Sequence, residues 1–172
     1  MNTGATFDST GHYRYNLWRE WNEGPRLVFV MLNPSTANET KNDPTIRRCI
    51  GFAQAWGYGA VEVVNLFAYR STRPEQLSRV ADPIGPENDR YLLAAQERAQ
   101  MLLFAWGNQG VLQQRHQAVL KLLRPRFQSC KPSYELGYCL GMTQVGQPRH
   151  PLYVRSETAP IPYQWAQAKT GS

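Results

Sequence analysis

Four apolar segments of this chain end in groups that can do chemistry. Asn33-Pro34-Ser35 follows Leu27–Leu32, and Asn65 lies near the end of Val61–Phe67. Trp106-Gly107-Asn108 closes Met101–Trp106, and His150 stands before Pro151 in the last such segment. A carboxamide can orient a water or read the edge of a planar heterocycle, and an imidazole can donate or accept a proton near neutral pH. Each group alone also has a structural reading. Asn-Pro starts turns, and a strand-end Asn can cap its own backbone. Trp-Gly can be core packing followed by a helix entry, and a His before Pro can simply bond a loop. Asp43 lies near the first loop as a carboxylate that could activate water, although its place before Pro44 suits a helix cap. The chemical reading gains weight from the set, because all four ends are expected on one rim.

The elements that would carry these groups are legible from periodicity. Residues 12–21 alternate roughly and suit an edge strand or hairpin arm. Leu27–Leu32 is a continuous apolar run, as expected of a strand covered on both faces, and Pro34 stops it. Asp43 and Pro44 open a helix that runs to about Trp56, with Ile46, Cys49, Ile50 and Ala53 on its apolar face and Gly57-Tyr58-Gly59 beyond it. Val61–Phe67 is a second core strand, followed by a long loop. A helix is expected over about Glu87–Gln100, a strand over Met101–Trp106, a helix over Gln109–Leu123 and a short strand over Tyr138–Gly141. His116, among glutamines in the third helix, reads as part of a solvated face. Strands alternating with helices imply right-handed crossovers and a three-layer α/β/α domain with a mainly parallel sheet. Ligands of such sheets bind beyond the carboxyl ends of the strands.

Composition narrows the function classes. With 172 residues, 42% hydrophobic and 19% charged, one domain is expected, its core spanning about 12–155 with a tail over about 156–172. No apolar run is long enough to cross a bilayer, and Met1-Asn2-Thr3-Gly4 does not open a secretory signal. Cys49, Cys130 and Cys139 have no metal-type spacing and read as reduced thiols of a cytoplasmic protein, so no metal or cofactor is expected. The net charge is +6, and arginine, including Arg47, Arg48, Arg70, Arg73, Arg124, Arg126, Arg149 and Arg155, outnumbers lysine. Planar bidentate donors suit phosphate, so on charge nucleic acid or a phosphorylated, nucleotide-like molecule stands level with ordinary surface solvation as the reading of this excess. Phosphate-loop, dinucleotide and nucleophile-elbow patterns are absent. Cys49 falls on an apolar helix face, where burial is the simpler role.

The strings Met31-Leu32-Asn33-Pro34-Ser35-Thr36-Ala37, Asp43-Pro44-Thr45-Ile46-Arg47-Arg48, Asn65-Leu66-Phe67-Ala68-Tyr69-Arg70 and His150-Pro151-Leu152-Tyr153 resemble a bacterial family of domains of unknown function. The match runs from about Tyr13 to Tyr153. More distantly, the same motifs resemble the uracil-DNA glycosylase superfamily. Met31–Ser35 is similar to its water-activating loop, and Val63-Val64-Asn65 to its base-reading strand end. Leu102–Asn108 is similar to its later strand with Trp-Gly, and His150-Pro151-Leu152 to its closing loop. Met31 replaces the leading glycine of that pattern, and Leu152 its serine. The resemblance implies a glycosylase-like fold and DNA as the favoured partner. It implies that Asn33 and Pro34-Ser35 position water, that Asn65 reads a base and that His150 donates to its oxygen. Phe67 or Tyr69 would stack on the ring beside Trp106-Gly107, and Arg70, Arg73 and Arg149 would hold phosphates. A free nucleoside or nucleotide in the same pocket is the alternative, and a non-catalytic interaction module is a third.

Overall fold

The computed structural model describes residues 1–130 and 137–163, with side chains described outside 124–136. The side chains of Arg124, Arg126 and Cys130 therefore lie outside the described residues, as does the tail beyond 163. A seven-stranded sheet runs in the order β1-β2-β4-β3-β5-β6-β7. Its strands are β1 (Asn2–Phe7), β2 (Arg14–Glu20), β3 (Arg26–Met31), β4 (Ala60–Asn65), β5 (Met101–Phe104), β6 (Tyr138–Cys139) and β7 (Ile161–Pro162). β4, β3, β5 and β6 pair in parallel, whereas β1–β2, β2–β4 and β6–β7 are antiparallel. The sheet is thus mixed, with a parallel centre and an antiparallel border on each side. Continuous apolar runs occupy the centre because both faces there are covered.

Helix α1 (Pro44–Ala55) covers one face, packing Ile46, Cys49, Phe52 and Ala53 on Leu27, Phe29, Val61, Val63 and Leu103. Helices α2 (Asn88–Arg98) and α3 (Arg115–Cys130) cover the other, packing Leu92, Ala95, Val119 and Leu123 on Val28, Val30, Val64 and Phe104. The two sets alternate along each strand, as the period-two pleat requires. Among the described residues, no helix is long and apolar enough to cross a membrane.

Several elements differ from the sequence expectation. β2 is the hairpin arm of the expectation and not the edge strand; the edge is β1, although Asn2–Phe7 has no strand-like pattern and owes its conformation to pairing with β2. The third helix begins at Arg115 rather than Gln109, because Gln113 and Gln114 take left-handed backbone angles that end the preceding 3-10 turn, Asn108–Gln114. That break resets the helical phase. His116 is consequently buried in the first turn of α3 instead of lying on a solvated face, and its Nδ1 has no hydrogen-bond partner. Arg115 is buried too, donating to the Leu66 carbonyl and to Asp89. Residues 161–163, expected in a tail, add β7 and seat Tyr163 against Phe104 and Trp106.

Candidate active site at the carboxyl rim

Parallel register brings the strand ends level. Met31 lies opposite Asn65 and Val30 opposite Phe104, so Asn33, Asn65 and Trp106 emerge side by side. They line a cleft of about 480 Å³ together with Ser35, Asp43, Gly107, Arg149 and His150.

Asn33 is held by its amide nitrogen, which donates to the carbonyls of Pro34 (3.0 Å) and Ser71 (2.9 Å). Pro34 is buried, and its carbonyl also accepts the Ser71 N–H. Both donor hydrogens of Asn33 are spent on backbone, leaving Oδ1 as its available acceptor. Asn65 has the opposite status. It is 1% exposed, and among the described residues its Nδ2 has no acceptor. A buried amide without a partner costs on the order of 1–3 kcal/mol, a cost that a ligand acceptor would remove.

His150 starts a short 3-10 turn, Pro151–Tyr153, and its Nδ1 accepts the Leu152 N–H at 3.2 Å. With Nδ1 an acceptor, the neutral ring carries its proton on Nε2. Burial lowers its pKa from 6.5 to about 4, only partly opposed by the Asp43 carboxylate, so the ring is neutral near pH 7. The turn is fixed from α1, where Arg48 Nε donates to the Pro151 carbonyl at 3.1 Å and Nη2 donates to Val154 O. On its other side Gly107 adopts a φ of 74° and donates its N–H to Pro148 O at 2.8 Å. A side chain at that φ would be strained.

Asp43 is the cap expected of it. Its Oδ1 accepts the Ile46 N–H at 2.8 Å, and its Oδ2 accepts the Ala37 N–H at 3.3 Å. With each oxygen accepting a backbone N–H, it ties the first loop to α1 while still bordering the cleft. Trp106 forms the inner wall, its Nε1 donating to Gln147 at 2.9 Å, and Gly110 packs so close that a Cβ there would overlap the indole.

Other expected site residues lie elsewhere. Phe67 is fully buried in the core under α2 and α3, and Tyr69 meets Tyr13 edge to face. Arg70 donates to the Gly11 carbonyl and covers the Phe7 ring. Arg73 lines a separate groove with Glu75, Gln76 and Arg79. Of the three arginines assigned to phosphate, Arg149 alone borders the cleft.

Sequence reasoning missed Arg14, Ser71, Thr143 and Tyr153, which also line the cleft. Tyr153 stood in the His150 motif and is 79% exposed at the mouth. Arg14 carried no such signal, because Arg14 and Asn16 alternate regularly with Tyr15 and Leu17. Among the described residues no three His, Cys, Asp or Glu side chains converge to hold a metal ion. Cys49 and Cys139 are buried, and burial raises the pKa of each thiol.

No curated protein and no solved structure matches the chain. Residues 14–152 match a family described as Protein of unknown function (DUF1643), a span holding every strand end of the cleft, and the chain belongs to that family.

Proposed function

We propose that the cleft recognises a nucleobase and hydrolyses its N-glycosidic bond, in nucleic acid drawn into the rim. The observation that carries this reading is the Asn65 amide, buried and unpartnered beside the Asn33 and His150 side chains in one cleft. The likeness of the four motifs to the uracil-DNA glycosylase superfamily supports it, and a glycosylase-like fold is part of the proposal.

The chemistry follows from the free valences. Asn65 Nδ2 donates to a carbonyl oxygen of the bound ring, replacing its missing partner. Asn33 Oδ1, immobilised through its amide nitrogen, accepts a hydrogen from a water and orients it toward the sugar carbon. As the bond from that carbon to the base nitrogen breaks, its electron pair moves into the base and charge grows on a ring oxygen. A neutral His150 donates from Nε2 to that oxygen without needing to transfer a proton. Water adds hydroxide to the sugar carbon and releases a proton to solvent. Arg149 at the rim, within a chain of net charge +6, suits flanking phosphates. A free nucleoside or nucleotide is the second reading, favoured by a cleft volume ordinary for small-molecule sites.

The test is incubation with single- and double-stranded DNA bearing uracil, hypoxanthine or a mismatch, followed by alkaline scission of abasic sites. Product is expected from the native protein, with losses of about a hundredfold in Asn33→Ala and His150→Ala. Binding should weaken steeply with salt. No abasic product together with salt-independent binding removes the reading, and stabilisation by nucleosides alone moves it to the second.

A further inference from the structure

Arg14 is 2% exposed, yet it lines the cleft. Its guanidinium makes one hydrogen bond among the described residues, from Nη1 to the Ala37 carbonyl at 3.0 Å, and its Nε is buried without a partner there. Among the described residues no carboxylate lies within ion-pair distance of it. Asp43 attracts it from further off and spends its own oxygens on backbone. A buried cation without a close counter-ion is costly, and five donors with one acceptor are far from satisfied.

How Arg14 reaches the cleft is a second, independent observation. The register of β1 on β2 shifts between Thr6 and Phe7, which face Asn16 and Arg14, so Tyr15 is the extra residue of a bulge. Tyr15 stacks on Tyr91 of α2 and Asn16 bonds Glu62, so two successive side chains serve the α2 face. Arg14 is thereby turned to the α1 face, beside Ala37 and Asp43. Bulges re-aim side chains in this way and cluster near active sites. In a regular strand Arg14 would share the face of Asn16.

We propose that Arg14 is the oxyanion-binding residue of the cleft, so that the ligand carries a negatively charged oxygen at the end of the site formed by β2. This rests on the reading of the cleft as a nucleobase site and adds a charge requirement to it. The oxyanion can belong to the ring or to a phosphate, and both present negatively charged oxygen acceptors to a guanidinium.

Affinity for four probes separates the cases: uridine, uridine 5′-monophosphate, orotate and inorganic phosphate. Each is titrated into the native protein, Arg14→Lys and Arg14→Gln, with far-ultraviolet dichroism to confirm folding. At least one of orotate and the monophosphate should bind about tenfold or more tighter than uridine, as a charge-assisted pair allows. A gain for orotate alone puts the charge on the ring, and a gain for the monophosphate alone puts it on phosphate. The gap should vanish in Arg14→Gln and survive in part in Arg14→Lys. Equal affinity for charged and neutral probes overturns the proposal, as does a gap that persists in Arg14→Gln. Inorganic phosphate binding as tightly as the monophosphate, lost in Arg14→Gln, would keep the oxyanion site and remove base recognition. Should Arg14→Gln fail to fold, the Arg14 Nε–H resonance of the native protein decides, since it must shift on titration of the tighter anion.

Discussion

Glu62 and Asn65 stand three residues apart on β4, on opposite faces of the sheet, and both are buried. Their surroundings differ in kind. Glu62 accepts from Arg26 Nη1 (2.9 Å), Arg98 Nε and Nη2 (3.0 and 2.6 Å) and Asn16 Nδ2 (3.2 Å). Asn65 Nδ2 has no acceptor among the described residues. One end of the strand is a charge-balanced network around Glu62 that joins β2, β3, β4 and α2, and the other is a set of groups held in place with valences open toward the cleft. Buried polar groups without partners among the described residues also occur away from the cleft, at Asn16 Oδ1, Asn88 Oδ1, Arg70 Nε and His116 Nδ1; what sets Asn65 and Arg14 apart is that they line it.

Breaking the Glu62 network should have the largest effect. Glu62→Gln removes the charge that balances Arg26 and Arg98, and we expect a loss of about 3 kcal/mol in urea unfolding at pH 7. A change below about 0.5 kcal/mol would erase the contrast between the two ends.

A smaller effect should come from His150. Its folded pKa, about 4, lies below its ordinary 6.5, so the unfolded chain binds the proton more readily. Its share of stability is fully present above pH 6.5 and is lost as pH falls to about 4. Because the ring is only partly buried, that share is about 2 kcal/mol rather than the full value of the shift. The stability–pH profile of His150→Gln should be flatter than the native one over this window by that amount. Parallel profiles would mean that the ring is solvated.

The smallest stability change belongs to Asn65→Ala, which deletes a donor that has no partner. Unfolding free energy should move by less than about 1 kcal/mol, while affinity for the best ligand of the cleft falls at least about tenfold. A large loss of stability with intact affinity would reverse the roles assigned to the two ends.

Much of this was legible in the chain. Apolar runs that stop at Asn33, Asn65 and Trp106 give the parallel strands, and parallel register alone makes their ends level. Asp43 before Pro44 marked the start of α1. Arg14 was hidden because its orientation depends on a bulge, which is a property of pairing and not of β2 by itself. Phe67 follows Asn65 closely but turns into the core, since the chain after β4 bonds back to Met31 and Leu32; Tyr69, two residues on, bonds Pro83 and sets its ring against Tyr13. His116 was misplaced for a local reason, two glutamines in left-handed conformation that no propensity singles out.

One feature of the first loop bears on how ligands enter. Arg19, buried in β2, donates to Asn42 Oδ1 (2.8 Å) and to the carbonyls of Asn38 (2.6 Å) and Lys41 (3.2 Å). Arg14 holds Ala37 of the same loop, and Asp43 closes it. The wall of the cleft that bears Asn33 is thus bolted down before any ligand arrives. Association there involves little ordering of that wall, so its rate should be set by diffusion and charge steering, and selectivity should appear in the lifetime of the complex.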